Sequence, residues 1–371
     1  MRVGVPKEIK NHEYRVGFTP TSVREAVRQG HQVWVQANAG QGIGSDDKDY
    51  VAAGAKIIAE ASEIFAKADM IVKVKEPQAK ERAMLREGQI LYTYLHLAPD
   101  PEQTKDLVKS GAICVAYETV TNARGGLPLL APMSQVAGRM SVQSGAHCLE
   151  KAQGGRGMLL GGVPGVSPAK VVILGGGVVG TNAAAIALGM GADVTVIERS
   201  TDRMEELVGR FGLGLKTLYS TQGAIEDECA MADLVIGGVL IPGAAAPKLV
   251  TKAMLKDWKA GSVFVDVAID QGGCAETSKA TTHADPTYVV DGVIHYCVAN
   301  MPGGVARTST FALNNVTLPF ALAIANKGWK KALSDDTHLR NGLNVALGKV
   351  TYKAVADDLG YAYVPAEKVL A

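Results

Sequence analysis

Apolar residues in the first third of the chain form short runs that are separated by amphipathic stretches. The runs predict strands at residues 2–5, 31–37, 56–58, 70–74, 89–94 and 112–117. The stretches between them predict helices, such as 21–29 behind Pro20 and 101–110. Four glycines lie where such helices should end: Gly30, Gly54, Gly88 and Gly111. Strands spaced by helices of this length indicate βαβ units and a mostly parallel sheet.

The middle of the chain repeats this alternation. Its apolar runs predict strands at 170–174, 193–197, 217–220, 233–237, 262–268 and 294–298. Six strands with helical crossovers are enough for a complete Rossmann-type sheet. The repetition concerns architecture alone, because the two parts share no visible residue-level repeat.

Three further stretches have helical rather than strand-like spacing. They are residues 134–152, residues 309–326, in which Pro319 is expected to start or kink the helix, and residues 335–358. We therefore expect the chain to leave a first domain near residue 130 and to return to it near residue 307.

This pattern predicts an α/β fold with two doubly wound, parallel-sheet domains joined by helical linkers, and a ligand cleft between the domains. Residues 1–130 together with 307–371 are predicted to form a discontinuous substrate-binding and catalytic domain. Residues 131–306 are predicted to form a nucleotide-binding domain.

A glycine-rich turn follows the first strand of the middle section. Gly175, Gly177 and Gly180 fit the pattern G-x-G-x-x-G between an apolar strand and a helical stretch. Glu198 ends the next strand, 21 positions after Gly177, where a carboxylate can accept a hydrogen bond from a ribose hydroxyl. The helix would direct its N–H groups at a pyrophosphate. We predict dinucleotide binding; the alternative is a turn with only a packing role.

Polar residues follow several predicted strands. In open parallel sheets, ligands bind beyond the carboxyl ends of the strands. The first domain offers Arg15, Lys75 and His96 at such positions. The second domain offers Ser220, Val239, Leu240, Asp270, Asn300 and Met301.

The types of four of these residues suit the chemistry of a small oxo or amino acid. Arg15 could grip a carboxylate with its guanidinium fork, and Lys75 could hold a carbonyl oxygen or carboxylate as a point charge. His96 could act as an acid or base near neutrality, and Asp270 could stabilise a cationic imine and position water.

Each of the four also has a purely structural interpretation. Lys75 could be a solvated strand exit and His96 a hydrogen-bonded structural histidine. Asp270 could cap a helix before Gln271, and Arg15 could pair with Glu8 or Glu13. The sequence alone leaves these alternatives open.

Charge and composition exclude some partners and compartments. Lysine and arginine number 38 against 37 aspartates and glutamates, which argues against nucleic acid or a membrane surface as a partner. No apolar run reaches the ~18 residues of a membrane span, and no secretory leader opens the chain. The five cysteines include no C-x-x-C pair, and the histidines show no metal-ligand spacing. We expect a soluble, cytoplasmic protein with buried thiols and no metal.

Blocks of sequence around the candidate residues resemble the alanine dehydrogenases, which are related to transhydrogenase alpha subunits. In chain order the blocks are Val5 to Glu8, Arg15-Val16, Thr19-Pro20, Lys73 to Pro77, Tyr94 to Ala98, Asp266 to Gly273, Asn300 to Gly303 and Arg307 to Thr310. They run through nearly the whole chain and are more specific than the glycine pattern.

The resemblance implies reversible oxidative deamination of L-alanine to pyruvate and ammonium, with hydride transfer to NAD. It implies Arg15 and Lys75 as substrate-binding residues and His96 and Asp270 as the catalytic acid–base pair. The implied cofactor-binding residues, besides the three glycines, are Ser134, Glu198, Arg203, Ser220, Val239, Leu240, Val267, Ala268, Ile269, Asp270, Lys279, Val298, Ala299, Asn300 and Met301. The family is usually hexameric and cytoplasmic, which implies a homo-oligomer.

The chain departs from the family's pattern at three positions. Glu198 replaces a more frequent aspartate, Lys279 a more frequent arginine, and Ala306 a frequent proline. Arg199 beside Glu198 favours some tolerance of NADP. A carboxylate facing a 2′-phosphate should still dominate, so NAD is the expected cofactor.

Other classes share this architecture. They are the nucleotide-binding part of a proton-pumping transhydrogenase, the opine dehydrogenases of the lysine pathway, and a non-catalytic sensor of NAD or an amino acid. A transhydrogenase would not need Lys75 and His96 as a pair. A sensor would keep the glycines and Glu198 without reason to hold Arg15, Lys75, His96 and Asp270. These four residues favour the dehydrogenase.

Overall fold

A computed structural model describes residues 1–239 and 246–371. By its internal contacts the chain forms two compact units, Met1–Met133 with Gly303–Ala371, and Ser134–Pro302. The predicted divisions near 130 and 307 lie within four residues of these boundaries. What each unit binds remains a prediction.

The strands, numbered along the chain, are β1 (Arg2–Val5), β2 (Gln32–Gln36), β3 (Lys56–Ile58), β4 (Met70–Val72), β5 (Ile90–Thr93), β6 (Ile113–Ala116), β7 (Lys170–Leu174), β8 (Asp193–Glu198), β9 (Leu215–Tyr219), β10 (Leu234–Gly237), β11 (Val263–Asp266), β12 (Thr287–Val290), β13 (Val293–Tyr296), β14 (Leu343–Ala346) and β15 (Lys349–Val350).

The helices are α1 (Pro20–Arg28), α2 (Asp47–Ala52), α3 (Ala61–Lys67), α4 (Ala79–Arg82), α5 (Pro101–Ser110), α6 (Ala131–Cys148), α7 (Val178–Gly189), α8 (Thr201–Phe211), α9 (Gln222–Ala230), α10 (Ala306–Lys327), α11 (Trp329–Asp335), α12 (Thr337–Arg340), α13 (Lys353–Leu359) and α14 (Ala366–Leu370). Two 3₁₀ helices, Val267–Gln271 and Met301–Val305, carry predicted site residues.

The first unit contains a sheet with the strand order β15-β14-β6-β5-β4-β1-β2-β3. Strands β1 to β6 are parallel to one another, while β14 pairs antiparallel with β6 and β15 antiparallel with β14. Strands β4, β5 and β6 are buried along their whole length, which explains their uninterrupted apolar sequence. The carboxyl ends of β1, β4, β5 and β6 therefore meet at one edge.

The second unit contains a sheet with the strand order β12-β13-β11-β10-β7-β8-β9, in which only β12 is antiparallel to its neighbour among the described residues. Alternate residues of β7 face two separate apolar clusters. Val171 and Ile173 belong to one cluster, Val172 and Leu174 to the other. Helices and turns thus cover both faces of the sheet, and the predicted α/β fold with two parallel-dominated sheets is confirmed.

Helix starts follow local signals in the sequence. Thr19 caps α1, accepting the Ser22 N–H at 3.2 Å, and Pro20 is the first helical residue. Asp100 caps α5 in the same way, ahead of Pro101. These caps explain why the predicted helices at 21–29 and 101–110 form where the pattern places them.

One prediction about secondary structure is wrong, and one of the two alternatives for Pro319 is excluded. Residues 335–358 are not one helical stretch, because β14 and β15 form a hairpin within them. Leu347 and Gly348 make its two-residue turn with positive φ of 50° and 77°, as such hairpins require. Pro319 does not start a helix, because α10 runs without interruption from Ala306 to Lys327. The other alternative, a kink at Pro319, stays a prediction.

The cysteines and the helix lengths agree with what the composition predicts. All five cysteines carry free thiols and are buried. Burial raises the pKa of the Cys229 thiol to about 12, so thiolate chemistry is disfavoured there. Across the described ranges, every helix is too short or too polar to cross a lipid bilayer.

Candidate functional site

The glycine turn between β7 and α7 leaves room for a ligand on one side only. Gly175 has φ +95°, which favours glycine, and Gly177 caps the amino end of α7. A Cβ on Gly180 would lie 1.9 Å from the Gly175 carbonyl oxygen, whereas a Cβ on Gly177 would meet no atom within 4 Å. Gly180 is therefore needed for packing, and Gly177 leaves open space at the helix N-terminus where a pyrophosphate fits.

Glu198, the last residue of β8, holds the turn through backbone N–H groups. Its Oε2 accepts the Gly176 N–H at 2.7 Å, and its Oε1 accepts the N–H groups of Arg199 and Ser200 at 2.6 and 3.0 Å. A carboxylate has about four lone-pair positions, so these three bonds leave capacity for a ribose hydroxyl. The structure thus fixes the acid next to the glycine turn.

Arg203 braces the same turn from α8. Its Nε donates to the Gly176 carbonyl oxygen at 2.8 Å, and its Nη2 donates to Thr181 Oγ1 at 2.6 Å. Its Nη1 also pairs with Glu206. The guanidinium, predicted to contact the cofactor, is thereby bound to the protein's own groups around the glycine turn.

Asp270 lies on the exposed side of the 3₁₀ helix Val267–Gln271, which follows β11. Its neighbours Ala268 and Ile269 are buried, at 7 % and 8 % exposure. The helix begins at Asp266, a buried carboxylate that accepts the Ala268 N–H at 3.0 Å. This short helix therefore presents Asp270 at the carboxyl edge of the second sheet.

The remaining predicted cofactor residues of the second unit occupy the same sheet edge or its flanks. Val298 and Met301 are buried, and Asn300 has a positive φ of 62°. Lys279 is exposed, and its N–H donates to Tyr288 Oη at 2.8 Å. Ser134, Val239, Val267, Ser220 and Ala299 are half-buried. Leu240 lies outside the described residues.

Arg15 is buried in the first unit and forms a side-on pair with Glu13. Its Nε and Nη2 donate to the two Glu13 carboxylate oxygens at 2.7 and 2.6 Å, and its Nη1 contacts Met133 Sδ at 3.1 Å. Burial opposes the charge, but Glu13 outweighs it and raises the pKa of Arg15. The pairing with Glu13 predicted as the structural alternative is therefore present, and it orients the guanidinium.

Lys75 follows β4 and is only 15 % exposed at its side chain. Its Nζ lies 3.6 Å from Glu76 Oε2, and Lys10 pairs with the same carboxylate. Burial opposes the charge of Glu76, yet Lys75 and Lys10 together lower its pKa. Lys75 therefore lies in a cation-rich corner at the end of β4, beside β1 and β5.

Lys73, which directly follows β4, stabilises the backbone that leads to Lys75. It is fully buried, and its Nζ donates to Glu8 at 2.9 Å and to Glu81 at 2.7 Å. Glu8 also accepts the Val74 N–H at 2.7 Å, so the carboxylate fixes the backbone that leads to Lys75. Burial raises the pKa of Glu8 despite the nearby ammonium.

His96 lies beyond the end of β5 in the left-handed region, with φ +50°. Its ring stacks on Tyr94, with 5.8 Å between centroids and 10° between planes. Its side chain is exposed, while its N–H is held by Glu118. Strained backbone at a non-glycine residue is frequent at functional sites.

Arg15, Lys75 and His96 thus follow neighbouring strands β1, β4 and β5. The structure brings them to one edge of the first sheet, as Asp270, the glycine turn and Glu198 share one edge of the second. Four residues hold these site residues in place: Glu13, Glu118, Lys73 and Asp266. Sequence reasoning named Glu13 as one of two candidate partners of Arg15 and assigned no role to the other three. Lys73, Glu118 and Asp266 lie within two residues of a strand end, which was the available signal, whereas Glu13 lies eight residues after the end of β1.

Three features of the second unit fit a dinucleotide. They are the open space at Gly177, the N–H groups at the start of α7 and the acid beside the turn. In the described part of the chain, no group of three His, Cys, Asp or Glu side chains could hold a metal ion.

Two family models match the chain. Residues 4–137 match the model described as "Alanine dehydrogenase/PNT, N-terminal domain", and residues 141–353 match "Alanine dehydrogenase/PNT, C-terminal domain". The two matches together include every predicted catalytic and substrate-binding residue.

Curated relatives and solved structures are similar over the full length. An alanine dehydrogenase of Halomonas elongata is 62 % identical over 370 residues, covering 100 % of both chains. An alanine dehydrogenase of Bacillus subtilis is 58 % identical, covering 100 % of this chain and 98 % of its own. A solved L-alanine dehydrogenase structure covers 100 % of both chains at 50 % identity, with a TM-score of 0.94.

Proposed function

Since the chain belongs to the alanine dehydrogenase/PNT family, we propose that it catalyses the reversible, NAD-dependent oxidative deamination of L-alanine to pyruvate and ammonium. The observation that carries the proposal is the set of Arg15, Lys75 and His96 in the segments that follow adjacent parallel strands. Relatives named alanine dehydrogenase at 52–62 % identity over the full length support the choice of substrate.

Arg15 and Lys75 bind the carboxyl end of the substrate in this proposal. Glu13 grips Arg15 through Nε and Nη2, which fixes the plane of the guanidinium. Lys75 supplies a point charge for a carboxylate or carbonyl oxygen, and it shares Glu76 with Lys10. Such bound cations orient a small amino acid before reaction.

His96 and Asp270 handle protons. His96 or Asp270 accepts the amine proton of the substrate, and NAD, when bound, supplies the acceptor for the α-hydride. The resulting iminium takes up water, and the same two residues transfer protons so that ammonia leaves and pyruvate forms. The carboxylate of Asp270 stabilises the cationic iminium.

The choice of NAD over NADP rests on Glu198. Its carboxylate accepts N–H groups of the turn and would face the adenosine ribose, where it favours a hydroxyl and repels a phosphate. We further propose a cytoplasmic homo-hexamer, as the family resemblance implies. Light scattering on the purified chain tests the oligomeric state.

A steady-state assay tests the proposed reaction in both directions. The purified chain is mixed with NAD and L-alanine, serine or lactate, and separately with reduced NAD, ammonium and pyruvate or glyoxylate. We expect reduced nicotinamide to form with alanine and to disappear with pyruvate plus ammonium. Exchange of hydride between two dinucleotides without any amino acid would support a transhydrogenase instead.

Variants connect the activity to the site. His96→Ala and Asp270→Asn should each lower kcat at least about 100-fold, as is typical for loss of a general acid or base. His147→Ala and Asp227→Asn, exposed residues outside the predicted site, serve as matched controls. Normal alanine turnover in either site variant would show that the residue roles are wrong.

A further inference from the structure

Asp266 is a buried carboxylate, 0 % exposed, at the carboxyl end of β11. Four donors converge on it. Its Oδ1 accepts the Ala268 N–H at 3.0 Å and contacts Cys274 Sγ at 3.6 Å, while its Oδ2 accepts the Cys274 N–H at 2.8 Å and the Ser278 hydroxyl. The carboxylate therefore ties together both ends of the segment that carries Asp270.

Two glycines enclose this carboxylate. A Cβ on Gly237 would lie 3.1 Å from Asp266 Oδ1 and 2.4 Å from Cys274 Sγ, and a Cβ on Gly273 would lie 2.6 Å from Oδ2. Backbone thus packs directly against both oxygens, so the carboxylate has little room to move. Burial raises the pKa of Asp266, and the bonds from Ser278, Cys274 and Ala268 oppose that shift.

The 3₁₀ helix depends on this arrangement at both of its ends. It begins where Asp266 accepts the Ala268 N–H, and it ends at Gly272, which has φ +88°. The chain then returns to Asp266 at Cys274. Asp270 lies between these two attachment points, on a short 3₁₀ helix that has few hydrogen bonds of its own.

We propose that Asp266 is a positioning residue, which fixes the 3₁₀ helix Val267–Gln271 and thereby holds the Asp270 carboxylate where the reaction needs it. This inference rests on the proposed function for its catalytic consequence. Its structural part, that the Asp266 carboxylate clamps residues 267–274, stands independently of the substrate.

The isosteric variant Asp266→Asn tests the clamp with little change in volume. Each carboxylate oxygen accepts a backbone N–H, from Ala268 on one side and Cys274 on the other. An asparagine amide must place its NH₂ group against one of them, in either orientation, so one backbone donor loses its acceptor. Glu276→Gln is the matched control, because it removes the same charge from an exposed residue. The Glu276 carboxylate accepts the Lys252 N–H and, among the described residues, does not hold the segment 267–274.

We expect Asp266→Asn to lower kcat about 10- to 100-fold, since misplacing a catalytic group by about 1 Å has effects of this size. The KM for alanine should change less than kcat. In hydrogen exchange without substrate, residues 267–274 should exchange faster than in the wild type, while residues 171–174 of β7 stay protected. Glu276→Gln should match the wild type in all of these measurements.

The proposal is overturned if residues 267–274 exchange at the wild-type rate in Asp266→Asn, or if its kcat equals that of Glu276→Gln. If the wild-type chain does not oxidise alanine, the proposed function fails, and the exchange data still decide whether Asp266 clamps the segment. If Asp266→Asn does not fold, Ser278→Ala removes one donor with no change of charge. Faster exchange of residues 267–274 in Ser278→Ala supports the clamp, and wild-type exchange overturns it.

Discussion

Glu118 holds His96 by its backbone, because Glu118 Oε1 accepts the His96 N–H at 2.6 Å. Both oxygens of the same carboxylate also accept the Leu95 N–H at 3.2 Å. The bonds lock a left-handed residue, φ +50°, at the carboxyl edge of the first sheet. The proposed acid–base residue is thus positioned by a neighbouring strand end, since Glu118 follows β6.

Removing this carboxylate should impair catalysis more than stability. In Glu118→Ala, two N–H groups lose their acceptor and His96 can relax to an ordinary backbone conformation, so we expect kcat to fall about 10-fold or more. Glu118→Gln keeps one oxygen, which can still accept both N–H groups, and should lose less. Steady-state kinetics measures the change in kcat, and melting temperatures measure the change in stability. Equal kcat in the alanine and glutamine variants would contradict the positioning role.

Two glycines of the same turn should respond differently to alanine. Gly180→Ala places a Cβ against the Gly175 carbonyl oxygen and should lower the free energy of unfolding by about 1–3 kcal/mol. Gly177→Ala meets open space and should change stability by less than about 1 kcal/mol. It should raise the Kd for NAD about 10-fold or more, because the methyl group occupies the space assigned to the pyrophosphate. Denaturant titration measures the effect on stability, and calorimetry measures the effect on NAD binding. Unchanged NAD affinity in Gly177→Ala would place the cofactor elsewhere.

The charge of Glu198 should set the preference for NAD. Glu198→Gln keeps the size of the side chain but removes the repulsion of a 2′-phosphate, so the ratio of kcat/KM for NAD over NADP should fall about 10-fold or more. Glu205→Gln, an exposed residue of α8, removes the same charge and should keep the wild-type ratio. An unchanged ratio in Glu198→Gln would mean that another group discriminates between the cofactors.

His295 should make stability depend on pH. The ring is fully buried, with Nε2 2.9 Å from Thr277 Oγ1 and Nδ1 3.0 Å from the Val293 carbonyl oxygen, and burial lowers its pKa below 6.5. Below pH 6.5 the unfolded chain takes up a proton that the folded chain refuses, so the free energy of unfolding falls, by up to about 1.4 kcal/mol per pH unit, until the pH reaches the folded pKa. His295→Gln lacks this contribution. Denaturant titrations between about pH 5 and 7.5 give the slope of the free energy of unfolding against pH for the wild type and for His295→Gln. Equal slopes in the two proteins would contradict the prediction.

Much of the architecture could be predicted from the sequence because buried parallel strands have continuous apolar runs. Strands such as β7 and β11 are such runs, and the glycine turn predicted which of the two sheets binds a nucleotide. The family resemblance based on motifs is confirmed by matches over the full length.

The hairpin of β14 and β15 could not be predicted from periodicity. Asn344 interrupts the apolar pattern, yet it is buried, and its Nδ2 donates to Thr119 Oγ1 at 2.7 Å. This partner lies far away in the sequence, so the local pattern does not show that a polar residue is buried at this position. Tertiary contacts of this kind override local pattern.

The candidate site shows the same limit. Arg15, Lys75, His96 and Asp270 were identified by their positions after strands. Of the carboxylates that support them, Glu13 was one of two candidate partners of Arg15 in the sequence, whereas Glu118 appears there as an ordinary surface residue. The structure shows that Glu13 is the residue that pairs with Arg15, and that Glu118 accepts the His96 N–H.

Transfer of deuterium tests the central claim most directly. The purified chain is supplied with NAD and with L-alanine deuterated at its α-carbon, and the reduced nicotinamide is analysed by mass spectrometry. The account predicts one deuterium in each reduced nicotinamide formed, together with one pyruvate and one ammonium. Reduced nicotinamide without deuterium, or no reduction with alanine at all, would contradict it.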